Sequence, residues 1–407
     1  MTTDTTTDID EICDGLRHFL RSEVVALHDE HADVLDDPRR RYDLDGRISS
    51  DAHALIRRVR ERSAAAGYYT MALPASIGGG GIGWEAMYRV WETIFQQGPR
   101  HWLGLHAVAH WTKGPNPLLA DLPASTTEKY LPDLLAGRTS MCFGMSEPDA
   151  GSDAWMMRTR AIRTRGGWRL SGSKQWISNG SHADLAIVFA VTDPDAAQAR
   201  RGGIGAFLVP TTAPGFDASS VIPMFGHLGS VEAILQLDDV FVPDDHVIGD
   251  PGEGFRVAMR GVTLGRVYNC AKAIGLARWA IDLAVGYANH RRAFDAPISS
   301  HQGVSFPLVE SHSEIHAARL SALHAVRLLD ADEPARTELS IAKVLSTEKS
   351  LQAIDRAMQV HGAMGFTNEV GLTEAWQIVR VVCVADGSAE ILRRQIASDL
   401  FGGNHGS

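Results

Sequence analysis

No proline interrupts the chain between Pro251 and Pro297, and within that stretch apolar residues recur steadily by threes and fours: Leu264, Val267, Ala271, Ile274, Ala277, Ile281, Ala284 and Ala288. A seam of that period and length fits one helix far longer than the usual three turns. Its small residues let neighbours approach closely, so a tightly packed helical bundle follows. Further helical stretches are expected over 307–329 and 335–360, then a glycine-rich turn and a final helix.

The rest of the chain divides by texture. Residues 8–137 read as helical; Ile9, Ile12, Leu16, Leu20 and Val24 fall on one face. The Pro/Gly-rich stretch YYTMALPASIGGGGIG between helical segments reads as a loop. From 141 to 249 short runs (WRLSG, KQWIS, ADLAIVFAV, GIGAFLVP, EAILQLDDVFV) alternate with Gly, Asn and Asp turns at hairpin spacing. In the last run Ala233, Leu235 and Leu237 face opposite to Ile234, Gln236 and Asp238. No helical pattern separates these strands, so an antiparallel barrel or sandwich is expected. The fold class is therefore α+β, mostly α. An N-terminal helical domain (1–137) precedes a middle antiparallel β barrel or sandwich (138–250) and a C-terminal four-helix-type bundle (251–407).

Composition narrows the function. Thirty-nine Lys and Arg against 49 Asp and Glu give a net charge of −10, which argues against nucleic acid or an anionic membrane as partner. Four separated cysteines suit a reducing compartment, and the polar acidic start has no signal-peptide character, so a cytoplasmic location is expected. No apolar run approaches the length of a membrane span.

Several segments carry chemistry. GGGGIG at 78–83 satisfies GxGxxG formally, but it lacks a preceding strand and a following acid at the right distance, so it reads as a loop. SEPDAGSD at 146–153 places small residues and backbone N–H groups where a flat or anionic ligand could approach, or is simply a polar turn. Trp176, ahead of Ser178-Asn179-Gly180, either presents an aromatic face beside a turn or belongs to the core. His101, His106 and His110 lie near one another, with His106 and His110 on one face of an expected helix. No glutamate stands between them as zinc-binding would need, and no metal is expected.

Taken together, SEPDAGSD and GSKQWISNG resemble the two signature segments of the acyl-CoA dehydrogenase family. YANHRRAFDAPISSHQ at 287–302, AMQVHGAMGFTNE at 357–369 and ADGSAEILRRQIA at 385–397 resemble its three C-terminal segments, in family order. The resemblance implies FAD as cofactor, held by Phe143, Met145, Ser146, Gly151 and Ser152, with Trp176 and Ser178 at the isoalloxazine ring. It implies a homotetramer, a dimer of dimers, in which Arg291, Phe294, His301, Gln302, Gln359 and Gly362 reach a partner chain's FAD. Arg suits a pyrophosphate and Gln an adenosine edge. Ser388 and Glu390 fall at flavin-contact positions, although a neutral residue is the family habit at 390. Ser152, Arg266 and Gly387 fall at substrate-binding positions.

The implied reaction is α,β-dehydrogenation of an acyl-CoA or other acyl thioester. A base takes the α-proton, flavin N5 takes the β-hydride, and an electron-transferring flavoprotein is the expected acceptor. The base position is Asp386, where most members carry Glu; the shorter side chain reaches one methylene less. Some branches keep the base instead on the long helix, but Gly265 occupies that position here and offers no carboxylate. Gly265 also leaves room for a bulky acyl chain. The usual arginine segment before the last strand is replaced by FGHLGSVEA at 225–233, and Ala363 stands for the second Gly of a Gly-Gly turn. The alternatives are a flavin oxidase or monooxygenase of the same superfamily, nitroalkane-oxidase-like, and a non-catalytic partner subunit of a heteromeric dehydrogenase.

Overall fold

A computed structural model describes residues 5–224 and 232–402. The chain forms two compact units that do not follow its linear order. One comprises Met1–Val25, Gly83–Leu105 and Gly265–Ser407; the other comprises Ala26–Ile82 and His106–Leu264.

The second unit is built on a single eight-stranded sheet. Its strands are β1 (Met141–Gly144), β2 (Arg160–Thr164), β3 (Gly167–Ser178), β4 (Leu185–Val191), β5 (Ile204–Pro210), β6 (Phe216–Asp217), β7 (Val221–Ile222) and β8 (Glu232–Pro243). Hairpin spacing predicts antiparallel pairing, and β2–β3, β3–β8, β4–β5, β6–β8 and β7–β8 pair that way. The sheet is nevertheless mixed, because β1 pairs with β4 in parallel, Met141 opposite Leu185, and β2 meets β4 in parallel at one residue pair. The β2–β3 hairpin does what a crossover helix would otherwise do. β4 is buried along its whole length, as a strand covered on both faces must be. Ala233, Leu235 and Leu237 point into the core while Gln236 and Asp238 face out, as the alternation predicts. The phase then slips at a bulge, where Asp239 takes a φ of 53° and Val240 turns inward again.

In the first unit the long helix runs Gly254–His290, and all eight seam residues from Leu264 to Ala288 are buried. Its residues up to Leu264 belong to the other unit. Helices Gln302–Asp330 and Arg336–His361 bracket the two expected stretches, the first starting five residues before Pro307. A helix at Leu372–Val382 precedes the final one at Ala389–Leu400 and was not expected. Its β-branched run, QIVRVV, conceals a helical face of Leu372, Ala375, Val379 and Val382, all buried. Leu16, Leu20 and Val24 are buried as expected, but a π-helical turn at Leu20–Val25 breaks the helix that begins at Thr5. Buried Glu92 on the helix Trp84–Phe95 accepts from Arg278 Nη1 at 2.8 Å and Arg319 Nε at 2.7 Å, tying three helices together.

The GGGGIG reading as a loop is explained here. The N-terminus of the helix that follows it is already filled by the carboxylate of Asp330, which accepts from Trp84 N at 2.6 Å and Glu85 N at 2.9 Å. An internal anion sits where a phosphate would have to.

Candidate active site

The two signature segments of the sheet unit are bound to each other. Lys174 Nζ, on β3 and fully buried, donates to Glu147 Oε1 at 2.7 Å and to Met145 O at 3.3 Å. Gln175 N donates to Ser146 O at 2.9 Å. Glu147 also accepts from the backbone N–H groups of Arg158 (2.6 Å) and Thr159 (3.0 Å). Burial lowers the Lys174 ammonium to about 8 even beside Glu147. For Glu147 burial pushes upward, but Lys174 and the hydrogen bonds from Thr159 and Arg158 prevail and hold its carboxyl below the usual range. The loop 145–147 is therefore clamped to β3 by a buried ion pair. Neither Glu147 nor Lys174 was singled out in the sequence, and the clamp was missed there.

Immediately after the clamp, β3 bulges. Lys174 pairs with Leu235 but Ile177 with Ala233, so β3 carries one residue more than β8 across the interval. Trp176 takes a φ of 65° there and is 53% exposed. A left-handed Trp is strained and a half-exposed indole is not core, so the aromatic-face reading is the one that fits. Ser178 ends the strand half-buried, its Oγ 3.0 and 2.9 Å from the two carboxylate oxygens of Glu232. Glu232 is another residue the sequence did not single out. Phe143 packs between Trp111 and Phe189, at centroid distances of 5.1 and 4.9 Å. Met145 and Ser146 are half-buried; Gly151 and Ser152 are exposed.

The bundle unit holds the second cluster. Asp386 lies in the turn between the last two helices with a φ of 56°, a conformation its short polar side chain tolerates, and Gly387 follows at 97°. Asn269 Nδ2 donates to Asp386 Oδ2 at 2.7 Å. Arg266 Nε donates to the Asp386 carbonyl at 3.2 Å, and Lys343 Nζ to the carbonyls of Ala385 and, at 2.6 Å, Gly387. Burial raises the Asp386 carboxyl above its ordinary range, against the pull of Lys343, the Asn269 bond, Lys272 and Arg266. Ser388 caps the final helix by accepting from Ile391 N, and Glu390 is exposed on its first turn.

Residues 252–401 match the acyl-CoA dehydrogenase C-terminal domain family and residues 142–240 its middle domain. The family assignment is settled. This chain belongs to the acyl-CoA dehydrogenases. An acyl-CoA dehydrogenase of Bacillus subtilis (strain 168) is 35% identical over 301 residues, covering 74% of this chain and 79% of its own. The human mitochondrial short-chain specific enzyme is 32% identical over 335 residues, covering 82% and 80%. Among solved structures, a glutaryl-coenzyme A dehydrogenase in complex with glutaryl-CoA superposes with a TM-score of 0.84 at 27% identity, over 99% of this chain and 98% of that one. The protein is thus an oxidoreductase acting on CH–CH donors, and its cofactor is FAD.

The sheet unit suits that cofactor on its own evidence. A half-exposed indole held out on a bulge offers a flat apolar face for a fused ring. The exposed Gly151, where an added Cβ would meet nothing within 4 Å, leaves room at the clamped loop. Replacing Trp176 by Gly is expected to change the stability of the FAD-free protein by less than about 1 kcal/mol, since relief of strain offsets lost contacts. FAD affinity falls about tenfold. Thermal melting and a fluorescence titration with FAD measure the two separately.

Of the six residues expected to reach a partner chain's FAD, Arg291, Phe294, Gln302, Gln359 and Gly362 are exposed in the single chain and His301 is half-buried. Phe294 stands 90% exposed at the tip of a two-residue hairpin whose Phe294 and Asp295 both take positive φ. His301 packs edge-on to Phe294, with a buried Nε2 that has no hydrogen-bond partner. The expected helix through His106 and His110 is not formed. A 3₁₀ segment ends at His106, and His110 caps a turn through Thr112 N, so the two do not share a helical face. The side chain of His101 lies outside the described residues, as do residues 225–231 of the FGHLGSVEA segment. Among the described residues no helix is long and apolar enough to cross a membrane, and no group of three His, Cys, Asp or Glu side chains is placed to hold a metal ion.

Proposed function

We propose that this enzyme desaturates an acyl-CoA between Cα and Cβ, with Asp386 as the base that takes the α-proton. The observation that carries this is the turn itself. One carboxylate, half-buried and left-handed, is hydrogen-bonded by Asn269 and has its backbone carbonyl tethered by Arg266. A base must be ionised yet poorly solvated to attack a weakly acidic proton, and the site supplies both conditions. FAD, when bound, supplies the acceptor for the β-hydride. The backbone N–H of Asp386 is the donor we assign to the thioester carbonyl, where it stabilises charge as the proton leaves. Asp reaches one methylene less than Glu, and the tethered turn compensates by presenting the carboxylate from a fixed backbone. Gly265, buried on the long helix, carries no side chain that would exclude a branched or bulky acyl group.

Exposure of Phe294, Arg291, Gln359 and Gly362 supports a homotetramer in which each FAD is completed by a neighbouring subunit. An electron-transferring flavoprotein is the acceptor we assign, and the cytoplasm the location.

Because the Asp386 carboxyl is raised above 3.8, the proton-accepting form is lost at a higher pH than for an ordinary aspartate. The expected kcat/KM profile therefore rises with pH through a single ionisation above that value, and a profile flat down to pH 4 would remove Asp386 from the reaction. The direct test is an anaerobic visible spectrum of the holoenzyme before and after addition of acyl-CoA thioesters of graded length and branching. Bleaching of the flavin band by one class identifies the substrate. Absence of bleaching by every thioester overturns the proposal.

A further inference from the structure

The strongest unexplained group near the base is a buried lysine. Lys343 lies on the helix Arg336–His361, is 1% exposed, and is the only cation on the inward face among Leu339, Ala342, Val344, Ser346 and Thr347. Burying an ammonium is costly unless its donors are met, and helix packing alone would be served by an apolar residue. Two of its three donors are met by the main chain: the carbonyls of Ala385 and Gly387 both accept from Nζ. The carbonyl between them, that of Asp386, accepts from Arg266 Nε. Three successive carbonyls thus end on two cations. The carbonyls of Ala385 and Gly387 meet on one Nζ across a turn whose two residues, Asp386 and Gly387, both take positive φ.

We propose that Lys343 is a positioning residue for the base: by holding the carbonyls on either side of Asp386 it fixes the left-handed turn that aims the carboxylate. This rests on the assignment of Asp386 as base. The groups acting on Asp386 come from two helices. Arg266, Asn269, Lys272 and, through its own coupling to Asp386, Tyr268 lie on the long helix, and Lys343 on the helix Arg336–His361; Arg336, Cys270 and Cys383 act in turn on Arg266 or Lys343. Of these charges Lys343 pulls hardest against the effect of burial. Asp386 in turn supports the Lys343 ammonium, which burial lowers to about 8.

The test compares Lys343→Met and Lys343→Arg in the FAD-loaded enzyme. In Lys343→Met, deuterium uptake by the peptide spanning 383–390 is expected to rise at least about tenfold, since the tether is gone. The acid limb of kcat/KM is expected to move alkaline by about one pH unit, because loss of a nearby positive charge raises a carboxyl pKa. The rate of flavin reduction falls and KM changes little. Lys343→Arg restores the acid limb. Should the Met variant fail to fold, Lys343→Gln keeps a donor without the charge and is expected to show the alkaline limb with smaller gain in uptake. Unchanged uptake together with an unchanged acid limb in the Met or Gln variant overturns the proposal. Failure of the base assignment has a different signature: Asp386→Asn stays active, while the uptake result still decides whether Lys343 holds the turn.

Discussion

Asp386→Asn is expected to retain its full complement of FAD and to lose reduction by acyl-CoA by about 10³-fold or more. The substitution keeps the size of the side chain and its tolerance of a left-handed backbone, and its carbonyl oxygen still accepts from Asn269. What disappears is the ability to bind a proton at neutral pH. Stopped-flow reduction under anaerobic conditions reads the loss directly, and the visible spectrum of the purified variant reads the flavin. A companion, Asp386→Glu, tests reach. With the backbone held by Arg266 and Lys343, the extra methylene moves the carboxylate past its position, and the expected result is slower reduction with the acid limb still present. Native-rate reduction by the Asn variant would place the base elsewhere.

Lys174→Met is expected to have the largest effect on stability. It leaves the Glu147 carboxylate buried with two backbone N–H partners and no counter-charge, a loss of about 3–5 kcal/mol at neutral pH. The sign of its pH dependence is distinctive. In the native protein the Glu147 carboxyl lies below its ordinary value of 4.5, so its contribution is present above that value and lost as pH falls through the lower native one. In the variant the pKa is pushed upward by burial, so the deficit shrinks as the solution is acidified and the group is protonated. Chemical unfolding at pH 7.5 and pH 5 measures this, and the double variant Lys174→Met/Glu147→Gln is expected to recover most of the loss. FAD affinity falls with it, because Met145 and Ser146 sit on the loop the pair holds. Equal destabilisation at both pH values would show that lost packing, rather than the stranded charge, is responsible.

The helical frame was legible because its signal is periodic. The seam from Leu264 to Ala288 needs only the spacing of apolar residues, and every one of them is buried. The helix Leu372–Val382 was not legible, because β-branched residues mask a helical face that only packing against the Arg336–His361 helix makes worthwhile. The parallel β1–β4 pair was hidden for a related reason: strand spacing records turns, and the β2–β3 hairpin lying between the two is indistinguishable in sequence from any other hairpin. At the site, motif resemblance reached Asp386, Trp176 and Ser178 and, in another role, Arg266, but not the other groups that hold them. Lys343, Asn269 and Glu232 lie 43 residues or more from the site residue each one meets, and Lys174 was not singled out within its motif. Partnership at such a separation leaves no local pattern.

The division of the chain into two interleaved units sets the order in which a ribosome can deliver a folded molecule. The sheet unit is complete in sequence at Leu264 and can close while the remainder is still being made. The bundle unit starts with Met1–Val25 but needs everything from Gly265 onward. The helix Thr5–Phe19 packs on Trp84–Phe95, which also packs on Gln302–Asp330, made only after the sheet unit. Leu16 and Leu20 are made before the whole sheet unit, yet belong to a core that is completed only by residues made after it. During that interval the nascent chain carries an unsatisfied apolar surface on the segment ahead of the sheet unit, the feature by which a chaperone would recognise it.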